Sequence, residues 1–380
     1  MDEKEKTAIC ALSLALGFDA GTGLKLMEHF GQAQEVFRTP RRELEALGLR
    51  PDYALKLESG LLDTAAKALE DTALCGGRFI AWGEEGYPPL LAECPDAPLG
   101  LYYKGCSEPQ EVFSGRPCIA VVGTRDMSSY GREWTVKIVS AMSRCPVKPL
   151  VVSGLAYGVD FTAHSSALEN GLSTAAVMGT GIDEVYPFRH GFLADSISDT
   201  PLSCLLTDFP PGTSPMGFNF LRRNRIIAGI CSATILIESR IRGGGMNTAR
   251  VAFSYDRDVH ALPGRADDLR SGGCNALISE KIADLVSDPG TLMVRLGLGK
   301  EGKVSGKVLQ TLLADMYGDD KDTISVAMKI KAERDITLDG LCMSLGMDYG
   351  KVASIAGMLE SDGIISRGLL GNCTINVKYS

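Results

Sequence analysis

The 380-residue chain is 45% hydrophobic and 23% charged, the composition of a globular protein with room for two or three cores. It has no run of 18 apolar residues, which excludes a helical membrane span, and its charged start, MDEKEKTAIC, lacks a signal-peptide core. The net charge of −8 is uneven: residues 1–109 hold 11 basic and 18 acidic residues, residues 110–290 hold 17 and 18, and residues 291–380 hold 11 and 11, so it does not exclude a polyanion partner for the middle.

Residues 1–75 predict a module of short helices, with an apolar face through Ile9, Leu12 and Leu16, then Leu24–Phe30, Ala33–Phe37 and Leu44–Leu47. Gly21-Thr22-Gly23 before a helix resembles helix-hairpin-helix or sterile-alpha-motif-like modules, whose glycine turns offer N–H groups to phosphate. The acidity of this part favours packing or a protein partner instead. Residues 79–105, with four prolines, read as a connector carrying one or two short strands.

From Cys118 to about Asp288, strands and helices alternate. Apolar strands are expected at Cys118–Val122, Leu150–Val152, Thr174–Met178, Leu202–Leu206, Thr234–Ile237 and Val259–Leu262. Helices are expected at Gly131–Arg144, Phe161–Asn170, His190–Ser198, Leu221–Ile230, Asn247–Tyr255 and Cys274–Val286. Strands without polar alternation, spaced by helices, imply an α/β fold with a doubly wound, Rossmann-like parallel sheet, placed with the connector at 76–290. Residues 289–304 read as a linker. Residues 305–380 read as a winged helix: a helix at Val308–Met316, a helix-turn-helix over Leu338–Leu345 and Tyr349–Glu360, then a hairpin ending in Cys373–Val377. Its would-be recognition helix carries Lys351 as its only cation, which favours a structural or partner-binding use over DNA reading.

The chemistry lies at strand ends. Gly123-Thr124-Arg125 puts an arginine where dinucleotide sites carry G-x-G-x-x-G, which points to an anionic ligand held partly by a side chain. In SGLAYGVDFTAH, Asp160 and His164 could form an acid–base dyad, but a helix-capping aspartate is the simpler reading. In DFPPGTSPMGFNFLRRNRIIAG, Arg222, Arg223 and Arg225 fall at a helix start, where the macrodipole disfavours cations unless an anion or buried carboxylates compensate. Phe218 and Phe220 beside them complete the composition of a single-strand nucleic-acid site. Of this group, Asn224 and Arg225 are the expected structural members. Gly244 and Gly245 open a helix whose N–H groups aim at an anion. The eleven scattered cysteines, without a C-x-x-C pair, suggest neither disulfides nor a metal site, and no cofactor is expected.

In order and spacing, VVGTR, VSGLAYGVDFTAH, VYP, FLRRNRIIAG, GGGMNTA, ALPG and SGGCNALI resemble the DNA-processing protein A family (DprA, or Smf), strongly over residues 79–288. The resemblance implies a non-enzymatic, cytoplasmic homodimer that binds single-stranded DNA, protects it in natural transformation and helps load the RecA recombinase. It places Gly123, Thr124, Arg125, Phe220, Arg223, Asn224 and Arg225 at the DNA pocket. Some members carry a lysine three residues before that phenylalanine; Gly217 stands there, so that phosphate contact is either missing or supplied by Arg222. The alternative is a nucleotide-cleaving enzyme of the lysine-decarboxylase-like (LOG) family, but Val251 occupies the position of its catalytic glutamate.

Overall fold

Cys118–Val122 (β3) is buried at every position, as an uninterrupted apolar run requires, and runs through the middle of a nine-stranded sheet. The structure, a computed structural model, describes residues 1–58, 60–299, 313–314, 316–318, 320–333, 336–368 and 371–375. The other strands of this sheet are Arg78–Ala81 (β1), Gly100–Lys104 (β2), Leu150–Ser153 (β4), Thr174–Val177 (β5), Cys204–Thr207 (β6), Ala233–Leu236 (β7), Asp258–Ala261 (β8) and Asp284–Leu285 (β9). Their order is β1-β2-β6-β5-β4-β3-β7-β8-β9.

Every pairing from β6 across to β9 is parallel. The expected connector instead enlarges the sheet: β1 and β2 pair antiparallel, and β2 pairs antiparallel with β6, Tyr103 opposite Leu206. From β3 the chain steps outward through β4, β5 and β6, then returns to the other flank of β3 as β7. This reversal sets the loops after β3 and β7 side by side, where doubly wound sheets take ligands.

Alternate residues of β3 feed opposite layers. Ile119 and Val121 pack with Ile138, Met142 and Ala163, while Ala120 and Val122 pack with Ile226, Ile230 and Met246. Each of the valine, isoleucine and methionine side chains contributes about 1.5–3 kcal/mol by leaving water. The N-terminal helices share a core with this sheet, Ile9, Leu12 and Leu16 lying in one cluster with Phe79, Tyr102 and Leu205. Asp2 caps the first helix, Glu3–Leu16, accepting from the Glu5 N–H at 2.7 Å. Glu5 in turn accepts from the Ala33 N–H at 2.6 Å, fastening the helix Ala33–Arg38 to the first.

Further element readings need correction: Gly21-Thr22-Gly23, read as a turn before a helix, lies inside the helix Ala20–Phe30. The helix over 274–286 stops early, spanning Gly272–Ser279, and β9 follows it. The expected linker starts with a helix, Pro289–Arg295, whose N-cap Asp288 accepts from the Thr291 N–H at 2.8 Å. The arginine-bearing helix starts four residues before Leu221, spanning Gly217–Ile230, so both phenylalanines are helical and the arginines lie beyond its first turn.

Residues 1–299 form one compact unit and residues 300–380 another. In the second, the helices Lys321–Ala332, Leu338–Leu345 and Tyr349–Ser361 accompany three antiparallel strands, Ile336–Thr337 (β10), Ile365–Arg367 (β11) and Asn372–Ile375 (β12), ordered β10-β12-β11. Val326, Ile330, Leu341, Val352 and Leu359 fill its core. The expected helix Val308–Met316 lies outside the described residues except at 313, 314 and 316, and the expected strand Cys373–Val377 is described to Ile375. Among the described residues, no helix is long and apolar enough to cross a membrane.

Candidate functional site

The loops at the carboxyl ends of β3, β4, β5 and β7 meet over the helix Gly217–Ile230. Gly123 and Gly245 touch backbone to backbone: a Cβ on Gly245 would stand 3.2 Å from Gly123 Cα and 2.7 Å from a Leu236 methyl. The Thr124 N–H donates to the Glu238 carbonyl at 2.7 Å, joining the β3 loop to the β7 loop. Glu238 is buried and accepts from the Ser128 N–H at 2.9 Å and from the Ser128 hydroxyl. Ser128 caps the helix Ser129–Ser143, so the carboxylate positions both the loop and the helix after it.

Arg125 is exposed at the tip of the β3 loop. Its guanidinium stands 5.4 Å from the centre of the Phe220 ring, within cation–π range. Beside it, Arg270 donates to the Asp126 carbonyl and carboxylate at 3.1 Å each, holding the loop in place. The half-buried Phe220 ring lies over Gly179, where a Cβ would come within 2.7 Å of it, so only glycine lets the ring settle there. Tyr186 packs against the same ring at 5.3 Å. An exposed cation, a supported aromatic face and the free-standing start of the Gly244–Ser254 helix therefore adjoin one another. This arrangement offers charge and a flat ring.

The remaining arginines of the segment point elsewhere. Arg223 is 3% exposed and donates to the carbonyls of Gly154, at 2.7 Å, and Val177, tying the ends of β4 and β5 together. Burial lowers its pKa to about 10 against the pull of Asp160, so it stays charged at neutral pH. Arg222 and Arg225 both donate to Asp208 Oδ2, at 3.1 and 2.7 Å. Arg222 also donates to the Gly17 carbonyl and lies over the Phe18 ring at 3.9 Å. Arg225 also donates to the Asp96 carbonyl. The Asn224 amide donates to the Gly244 carbonyl at 3.3 Å and Asn247 Oδ1 at 3.4 Å, bracing the two helices. Phe218 meets Phe18 edge to face at 5.5 Å, away from Phe220.

Thus Gly123, Thr124, Arg125, Phe220, Gly244 and Gly245 come together, while Arg222, Arg223, Asn224 and Arg225 serve the frame beneath them. Sequence reasoning passed over Tyr186 and the exposed Arg240 and Arg242 of the β7 loop. The position of that loop beside β3 was the signal that could have found the arginines.

Asp160 and His164 do not form a dyad. Asp160 accepts from the N–H groups of Gly154 and Ala156 at 3.1 and 3.4 Å, and His164 Nδ1 bonds Thr174 Oγ1 at 2.7 Å. Burial, helped by the charges of Arg223 and His190, depresses the His164 pKa from 6.5 to about 3. The unfolded chain therefore takes up this proton first. The associated stability is complete above pH 6.5 and is lost as the pH falls toward 3. Denaturant unfolding across that window should weaken by about 1.4 kcal/mol per pH unit from this group. A His164→Gln protein should show a shallower slope; an unchanged slope would remove His164 as its source.

A family model described as DNA recombination-mediator protein A matches residues 78–297. The DNA processing protein DprA of Streptococcus pneumoniae is 40% identical over 197 residues, 52% of this chain and 67% of that protein. The protein Smf of Escherichia coli is 37% identical over 222 residues, 58% of this chain and 57% of that protein. The chain thus spans between about half and two thirds of these relatives. An X-ray structure of DprA from Streptococcus pneumoniae, 32% identical, superposes with a TM-score of 0.66 over 76% of this chain and 97% of that one. A structure described as showing the single-stranded DNA binding mode of DNA processing protein A from Helicobacter pylori shares the fold, at 23% identity and a TM-score of 0.52, over 58% of this chain and 95% of that one.

Proposed function

Because the chain belongs to the DNA recombination-mediator protein A family, we propose that the Arg125–Phe220 site holds single-stranded DNA, with little sequence preference and without chemistry on the strand. The observation that carries this reading is the exposed Arg125 guanidinium poised over the Phe220 ring, with Tyr186 behind it. A phosphate meets the cation while a base stacks on the ring, and every base has a face to offer. Gly244 and Gly245 add N–H groups for a second phosphate. The nucleotide-cleaving alternative lacks its carboxylate, since Val251 packs against the core at that position.

In this reading the protein is a cytoplasmic homodimer that shields strands entering during natural transformation and helps load the RecA recombinase on them. The N-terminal helices act as a sterile-alpha-motif or helix-hairpin-helix-like module, and residues 305–380 as a winged helix that binds a partner. Lys351 pairs with Asp322 and Arg367 with Glu360, so neither cation is available to phosphate without breaking a pair.

Titration with single- and double-stranded DNA over a salt series tests the site. Arg125→Ala should weaken binding to all sequences alike and flatten the slope of log affinity against log salt by about 0.7. Phe220→Ala should cost about 1–3 kcal/mol of binding and leave the slope where it was. Unchanged affinity in both variants would sink the assignment.

A further inference from the structure

Beyond the Arg125–Phe220 site, one stretch of surface is unusual in its make-up. Between Val147 and Met216, the exposed large apolar side chains are Tyr157, Phe161, Tyr186, Phe188 and Phe192, aromatic without exception. Phe188 is 90% exposed and Phe192 84%, more than any other phenylalanine among the described residues. Leaving two such rings in water forgoes the gain of burying them, about 1.5–3 kcal/mol each.

These rings belong to one connected stretch. Tyr186 packs on Phe220 and so joins the site already described. Two residues on, the short 3₁₀ turn Phe188–His190 leads into the helix Gly191–Asp199, which carries Phe192 in its first turn. His190 is the hinge pin of the group. It is 5% exposed, its Nδ1 bonds the Leu155 carbonyl at 2.8 Å, and its ring contacts Tyr157 and Phe161 at centroid distances of 4.8 and 4.7 Å. The turn that displays Phe188 and Phe192 is therefore fixed on the β4 loop.

Resting on the reading of the Arg125–Phe220 site, we propose that Phe188 and Phe192 are further stacking platforms that carry the same single strand past Tyr186. Three features select this occupant over a protein. The surface is continuous with the strand site through Tyr186, its large exposed apolar residues between Val147 and Met216 are all flat rings, and Phe188 and Phe192 stand free to accept bases. The contact is one of stacking and not of charge, because Asp183, Glu184, Asp195 and Asp199 outnumber Arg189 along the segment. The carboxylates keep the strand's backbone off this surface and turn its bases toward the rings.

The test is the length dependence of oligothymidylate binding to the full chain, read for strands of about 6 and about 20 nucleotides. A Phe188→Ala, Phe192→Ala double variant removes two solvent-exposed rings and should melt as the native protein does. It should bind the short strand normally and lose about fivefold or more per ring on the long one, at unchanged salt slope. Phe188→Trp with Phe192→Trp should restore the loss. Arg125→Ala, run alongside, should weaken both lengths. Native long-strand binding in the alanine double variant, with Arg125→Ala still weakened, would overturn the extended track and leave the first site standing. Loss of binding to a protein partner, with both strand lengths bound normally, would overturn it in favour of a docking surface. If Arg125→Ala binds both lengths as the native chain does, the underlying site fails and the track falls with it.

Discussion

Replacing Arg223 with alanine should cost several kcal/mol of folding stability, about 1–3 kcal/mol for each buried carbonyl left without its donor. The family resemblance places this residue at the DNA pocket, yet its guanidinium is buried and bonded to the carbonyls of Gly154 and Val177. Its loss orphans those two oxygens at the ends of β4 and β5. It also strips the buried Asp160 of its neighbouring positive charge; burial already pushes that carboxyl up, and Arg223 is the main influence holding it down. Affinity per folded molecule should stay near that of the native chain, with the same salt slope. Denaturant unfolding and DNA titration on one preparation separate the outcomes. A stable Arg223→Ala protein that no longer binds would make the arginine a phosphate contact and defeat the structural account.

Asp208→Ala should be comparably damaging, at about 3–5 kcal/mol, because one carboxylate oxygen serves two arginines. Its side chain is 3% exposed, and without it Arg222 and Arg225 repel across a site poor in water. The first consequence should appear at the N-terminal helices, since Arg222 also holds the Gly17 carbonyl and underlies Phe18. Limited proteolysis should then cut near Gly17-Phe18 under conditions where the native chain resists. Asp208→Asn keeps the shape and one acceptor, and should fall between the two. Resistance of the alanine variant equal to that of the native chain would show that this ion cluster does not fasten the helices.

Much of this was readable from residue types, and the part that was not has a geometrical cause. The unbroken apolar run Cys118–Val122 could only be a strand buried on both sides, and it is one to the residue. The glycine loops could be placed at strand ends for the same reason. In the run Leu221–Arg225, the structural use of Asn224 and Arg225 was legible, but Arg222 and Arg223 misled because adjacency in sequence is not adjacency on a helix. At 100° per residue, Arg222 and Arg225 lie about 60° apart and share Asp208, whereas Arg223 turns toward the sheet. Three neighbouring cations thus have two destinations, neither of them the exposed pocket. Gly217 hid the true start of that helix, since glycine is a poor marker of a helical first turn. The strands β1 and β2 could not be assigned to the large sheet, because β2 joins it only by pairing with β6, far along the chain, and β1 joins only through β2. Local pattern carries no information about such a pairing.

That distant pairing bears on how the protein is made. On the ribosome, β2 emerges about a hundred residues before β6, an interval of about 5–20 s at usual elongation rates. Throughout it, the edge of β2 that will pair with β6 has no partner, and the apolar face shared by Phe79, Tyr102 and the N-terminal helices lacks Leu205. A nascent chain in this state presents an open strand edge, the feature that recruits chaperones and invites neighbouring polysomal copies to pair. The N-terminal helices thus wait for completion on a strand made well after them.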